Sequence, residues 1–200
     1  MKFIIIFLSI LLSLNACSQP ELDYTIIPGE RVGAITKDIA EAQLVQVYGS
    51  ENISPVSVYL GEGFYAPGTA LFANDSTRLL EIVWKDTTER KSPDHIRIIG
   101  NTWKTPEGVS LGTSLKELEE LNGKSFTLTG FGWDYSGTIV SWENGKLEKY
   151  SQPSGRLIVR LYPKDEVSDH SVYGDIDIMS DNQTMRRLNP TAYQLIAEFR

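Results

Sequence analysis

Twice in 200 residues the chain writes glycine, four residues, then Gly-Thr: Gly63 to Gly68-Thr69, and Gly132 to Gly137-Thr138. Each motif follows a helix-length segment and a short apolar run. Each Gly-Thr opens a strand-like run that meets a turn signal, Asn74-Asp75 in the first and Asn144-Gly145 in the second. Strand patterns resume at "RLLEIVW" and "RLIVRLY". The order helix, strand, glycine loop, strand, turn, strand thus occurs over residues 31–86 and again over 108–162, as an internal repeat predicts. Glycines in such loops permit positive φ and a sharp reversal. The stretch "GFGWDYSGT", Gly130 to Thr138, therefore reads first as a device the fold needs.

The helices have their own signals. Thr36 is placed as an N-cap, Asp38 in a first turn and Gly49 just past a C-terminus, which predicts a helix over 37–48. Ser114 and Glu117 have capping-box spacing, Leu115, Leu118 and Leu121 form an apolar row, and Gly123 ends it. A linking strand shows at "HIRIIG". In the C-terminal stretch Tyr193, Leu195, Ala197 and Phe199 alternate with Gln194 and Glu198, the period of a half-buried strand. The expected fold class is α+β: a largely antiparallel sheet with two short helices on one face, built as a pseudo-duplicated helix-strand-strand-strand unit, with C-terminal strands over 170–200.

The N-terminus reads as a lipoprotein leader. Lys2 precedes a twelve-residue apolar run, Phe3 to Leu14, interrupted by Ser9 and Ser13. That is short for a transmembrane helix and suits a signal-peptide core. Leu14-Asn15-Ala16-Cys17 resembles the lipobox of bacterial lipoproteins, in which the cysteine is acylated (palmitate among the chains) and cleavage falls just before it. Cys17 is the one cysteine in the chain. The organisation expected is a signal peptide over 1–16, a lipidated tether over 17–30 and an α+β domain over 31–200. Processing would remove Lys2 and take the net charge from −7 to −8. Ser18 lacks the acidic character of an inner-membrane retention signal, so the expected location is the outer membrane of a bacterial envelope. The acidic balance excludes a nucleic-acid partner, which would need clustered Lys and Arg.

Several stretches carry a family resemblance: "GERVGAIT", "GTALF", Trp103 to Gly123, and "GFGWDYSGT". Together they look like a family of uncharacterised bacterial exported proteins, over about Gly29 to Pro163 and again over 188–193. That family brings no assigned reaction. More loosely, the helix-then-glycine-then-strands unit is similar to small lipoproteins of outer-membrane assembly and to the tandem repeats of β-lactamase inhibitor proteins. Both are non-catalytic binding folds, and this chain departs from them in lacking paired helices at the start of each unit.

Reaction chemistry finds little footing. Two histidines, His95 and His170, lack metal-ligand spacing, and the six acids between Asp165 and Asp181 do not follow a calcium-loop pattern. No cofactor motif or nucleophile elbow is present, and Asp94-His95, as strand neighbours, are expected on opposite faces. The aromatic set remains: Phe131, Trp133 and Tyr135 beside Asp134, with Phe64 and Tyr65 in the first copy. On a rigid glycine loop these offer large contact area at small entropic cost. The expected role is a non-catalytic binding module facing an envelope protein or glycan. Two alternatives are a cell-wall or glycan hydrolase using Asp134 and a binder of carbohydrate or another small ligand.

Overall fold

A computed structural model describes residues 22–152, 155–165 and 169–199. The leader, Cys17 and Glu166 lie outside these residues. Among the described residues twelve strands and three α-helices form an α+β fold in which every strand-to-strand pairing within the sheets is antiparallel.

The chain opens with a small sheet, β1 (Ile26–Ile27), β2 (Arg31–Val32) and β3 (Ile35–Thr36). Of the expected tether over 17–30, residues 26–30 belong to this sheet and its first turn, and residues 17–21 lie outside the described ones. Ile27-Pro28-Gly29-Glu30 is a turn, closed by the Glu30 amide on the Ile27 carbonyl at 3.0 Å with Gly29 at φ 76°. Pro followed by a positive-φ Gly suits that reversal, and it buries Ile26, Val32 and Ile35 completely. Helix α1 (Glu41–Tyr48) starts later than the pattern predicts. Thr36 is already in β3, and the backbone of 40–41 is held by the start of a later strand, with the Glu41 amide on the Arg90 carbonyl at 2.9 Å.

Next come β4 (Ile53–Gly61), β5 (Phe64–Leu71), β6 (Leu80–Asp86) and β7 (Lys91–Ile98). Helix α2 (Leu115–Asn122) forms as expected, with the Ser114–Glu117 capping box made and Gly123 left-handed at its end. Then follow β8 (Thr127–Thr129), β9 (Ile139–Ser141), β10 (Leu157–Tyr162) and β11 (Asp177–Met179), a third helix α3 (Gln183–Leu188), and β12 (Thr191–Glu198). The pattern had predicted two helices. The third, one and a half turns long, is held by local bonds: the Asn182 side chain accepts from the Thr184 and Met185 amides, and Asn189 ends it left-handed.

The main sheet has the order β10-β12-β7-β6-β5-β4, and a second sheet has the order β11-β8-β9. A bridge between Thr138 and Arg160 joins β9 to β10. The first run, β4-β5-β6, enters the sheet from one margin; the second, β8-β9-β10, enters from the other; β7 and β12 pair between them. Gly68 and Gly137 occupy matching places. Thr69 pairs with Ile82 on β6, as Thr138 pairs with Arg160 on β10. A Cβ on Gly68 would stand 2.5 Å from the Ile82 carbonyl oxygen, and one on Gly137 would stand 1.9 Å from that of Leu161. The strands therefore close on these glycines. The four residues between the glycines do differ: 64–67 belong to β5, whereas 133–136 form a loop.

The core side of the main sheet carries Ile82, Ile96, Ile98, Val159 and Leu195 against Leu44, Leu115 and Leu118 of the helices. Tyr193 departs from the alternation expected of β12 and is exposed. A bulge opposite Arg160 and Leu161 pairs Leu161 with Ala192, so Ala192 turns inward instead.

Two predictions follow. Gly137 has φ 64° and a backbone carbonyl in its Cβ position, whereas Gly108 has φ 99° and open space. Gly137→Ala is expected to cost more than about 2 kcal/mol and to lower the melting temperature by at least about 4 °C. Gly108→Ala is the control for strain alone; equal losses in calorimetry would show that the close approach is immaterial. Asp75 and Asp169 are both held down to about 2, Asp75 by the Thr77 hydroxyl and Arg78, and Asp169 by the hydroxyls of Thr184 and Ser171. A carboxyl whose folded-state pKa is depressed stabilises above its unfolded value near 3.9 and loses that contribution as pH falls toward 2. Both groups are partly exposed, so the effect is small. In thermal melts the Asp75→Asn, Asp169→Asn double variant should lose less stability between pH 4 and pH 2 than the parent.

Candidate functional site

The outward face of the main sheet carries a groove, bordered by the second glycine motif and by the β4 end of the first hairpin. On its central strands, residues alternate with the core set: His95 and Arg97 on β7, Gln194, Ile196 and Glu198 on β12, Ile158 and Arg160 on β10. The register places Arg97, Ile196 and Ile158 in one row across three strands.

At one margin the β4–β5 hairpin curls over this face. Gly68 leaves room within it: a Cβ there would meet Val58 Cγ2 of β4 at 2.7 Å and the Ile82 carbonyl oxygen of β6 at 2.5 Å. A bulge between Tyr59 and Gly61 leaves Leu60 as the extra residue, and Leu60 lines the concavity. At the other margin stands the loop 130–137. Its backbone is held by the Gly137 amide on the Gly130 carbonyl at 3.2 Å and the Ser136 amide on the Trp133 carbonyl at 3.1 Å. The Thr129 hydroxyl donates to the Tyr135 carbonyl at 2.8 Å, and the Trp133 indole N–H donates to the Gly130 carbonyl at 3.1 Å. The Tyr135 hydroxyl reaches Glu62 Oε1 at 3.5 Å, so the two margins meet.

The space enclosed is a groove of about 700 Å³ that includes Trp133, Tyr135, His95, Arg160 and Ile196. Beside it lies a smaller pocket of about 270 Å³ that shares Leu60, Tyr135, Arg160 and Ile196 and adds Arg97 and Asp134. Drug-sized sites have this range of volumes.

Its electrostatics are mixed. Arg97 Nη1 donates to Glu81 Oε2 at 2.7 Å, and Arg160 Nη1 donates to Gln194 Oε1 at 2.9 Å. The Arg160 guanidinium also lies 5.1 Å from the centre of the Tyr135 ring. Arg97 Nε and Arg160 Nε are buried and have no hydrogen-bond partner among the described residues. A buried donor left unpaired costs on the order of 1–3 kcal/mol. Further along, Arg156 pairs with Glu198 at 2.6 Å. Burial raises the pKa of the Tyr193 hydroxyl, and Arg160 beside it opposes that rise.

His95 and Asp94 do not point apart, as regular strand pairing predicts. The register shifts so that Val83 pairs with His95 and Trp84 with Pro93, leaving Asp94 as the extra residue of a bulge. Asp94 Oδ2 then lies 2.8 Å from His95 Nδ1.

The residues singled out from sequence fall into three groups. Trp133, Asp134 and Tyr135 border the groove or its side pocket. Phe131 is 1% exposed, packed edge-on to Tyr162, so it is core and not a contact residue. Phe64 and Tyr65 stand at the hairpin tip, 67% and 64% exposed, with Tyr65 against Tyr59, outside the groove. The sequence did not single out Arg97, Arg160 or Ile196, and it offered His95 only as a metal or nucleophile-chemistry residue. Their signal was the off-beat of strands scanned for core positions; only the pairing of β7, β12 and β10 unites them. The acids of the 165–181 stretch also separate. Asp175 and Asp177 reach the groove, while Asp169 caps a turn and accepts from the Thr184 hydroxyl at 2.6 Å. Among the described residues no three His, Cys, Asp or Glu side chains are placed to hold a metal. No protein-family model, curated protein or solved structure matches this chain.

Proposed function

We propose that this protein is a lipid-anchored binding module of a bacterial envelope, non-catalytic, holding its ligand in the concave groove of the main sheet. The observation that carries the reading is the groove itself: about 700 Å³, floored by rigid antiparallel strands and bordered by Trp133 and Tyr135. Aromatic side chains held this way need little ordering on binding, which favours recognition. Two of its three arginines are already in ion pairs, Arg156 with Glu198 and Arg97 with Glu81. That suits a surface that positions a partner. Asp134, the acid of the hydrolase alternative, is exposed at the rim of the side pocket.

The anchor is tested separately. Cys17→Ser should abolish labelling by radioactive palmitate and move the protein from the membrane to the soluble fraction; unchanged fractionation would exclude the lipid. For the groove, a photo-crosslinking residue at Tyr135 is compared with one at Val47, exposed on α1 away from the site. In living cells, adducts are expected from position 135 and not from position 47. Equal crosslinking from both, or from neither, would remove the groove as the binding site.

A further inference from the structure

We infer that the ligand carries a singly charged carboxylate on a body with a flat apolar face, and that Arg97 and Arg160 receive that carboxylate. This deepens the binding-module reading and rests on it. The two arginines come from β7 and β10, with β12 between them, and both line the side pocket with Tyr135 and Ile196. Each has committed Nη1 to a neighbour, Glu81 or Gln194. Each leaves Nε buried and unpartnered. The Nε–Nη2 edge of a guanidinium is the side that takes a carboxylate through two parallel hydrogen bonds. Two guanidiniums lining one pocket, each with a donor that the described residues leave unpaired, suit an oxyanion better than a neutral polar group, and weak hydration makes arginine the cation suited to a half-buried site.

The rest of the pocket describes the body. Ile196 and Leu60 are apolar, and the Tyr135 ring is held in place by Arg160 at 5.1 Å. A sugar ring packs on such a surface by its C–H face. The charge of the ligand is bounded by its neighbours. Glu81 shares Arg97, Asp134 stands at the rim, and Glu198, Asp175 and Asp177 line the adjoining groove. A dianion such as a phosphate monoester doubles its attraction to the two guanidiniums and its repulsion from these carboxylates alike, but the cost of stripping its water rises as the square of its charge, about fourfold, which favours the monoanion.

The test uses glucuronate, glucose and glucose 6-phosphate as probes, followed by amide and indole shifts of the isotope-labelled, unlipidated protein. Glucuronate should shift the Trp133 indole and the β12 amides saturably, at least about tenfold tighter than glucose, the ratio that a charge-assisted pair supplies. Arg97→Gln and Arg160→Gln should each cut that ratio. Arg160→Lys keeps the charge without the fork and should cut it too, and the dispersed spectrum verifies that each variant is folded. Equal binding of glucuronate and glucose would overturn the carboxylate and leave the groove standing. Tighter binding of glucose 6-phosphate would overturn the single charge. Shifts absent for all three, alongside crosslinking at position 135, would overturn this inference alone; absent crosslinking would take the groove reading with it.

Discussion

Strands β7 and β12 meet at the centre of the main sheet, and the rest of the molecule hangs on that pairing. Ile98 faces Leu195, and His95 faces Glu198, across about a hundred residues of chain. Closing so long a loop costs entropy that only later contacts offset. Those contacts lie on both sides at once. Inward, Ile96, Ile98, Leu195 and Ala197 join one core. Outward, Arg97 and Ile196 become neighbours on the groove floor. A single ladder thus makes the hydrophobic interior and the recognition surface interdependent: a change that slips β12 by one residue would expose Leu195 and bury Glu198.

What could be read from the sequence was local. The Ser114–Glu117 box, the apolar row behind it and Gly123 lie within ten residues, and α2 formed as expected. The antiparallel α+β class followed from periodicity. Failures came where a local signal had two readings or a distant group decided. Pro28-Gly29 looked like linker and is a turn whose strands bury Ile26 and Val32. Thr36 looked like a cap, but β3 had already claimed it. Two bulges, at Asp94 and Tyr193, reversed the parity on which face assignments rest. Of the candidate site, the loop aromatics Trp133 and Tyr135 were visible because glycine and ring were adjacent in the chain. Arg97 and Arg160 were not, since their proximity depends on strand order.

The glycines illustrate how shape precedes chemistry here. Gly68 and Gly137 each let a strand approach where any side chain would collide with backbone. One consequence is architectural, the closing of two three-stranded runs. The other is the groove, because the loop ending at Gly137 sets Tyr135 beside it, with Leu60 of the β4 bulge on the same lining.

The tucked N-terminal sheet has a consequence for reach. Asp23 accepts the Thr25 amide at 2.8 Å, and the Lys104 amide donates to the Tyr24 carbonyl at 3.1 Å, so the chain is tied to the body by this point. On the proposed anchoring, five residues separate Cys17 from Asp23, a reach of at most about 20 Å over the six steps between them. The body would then ride within one domain diameter of the lipid headgroups, sampling only material at the membrane surface and leaving distant envelope layers beyond its leash.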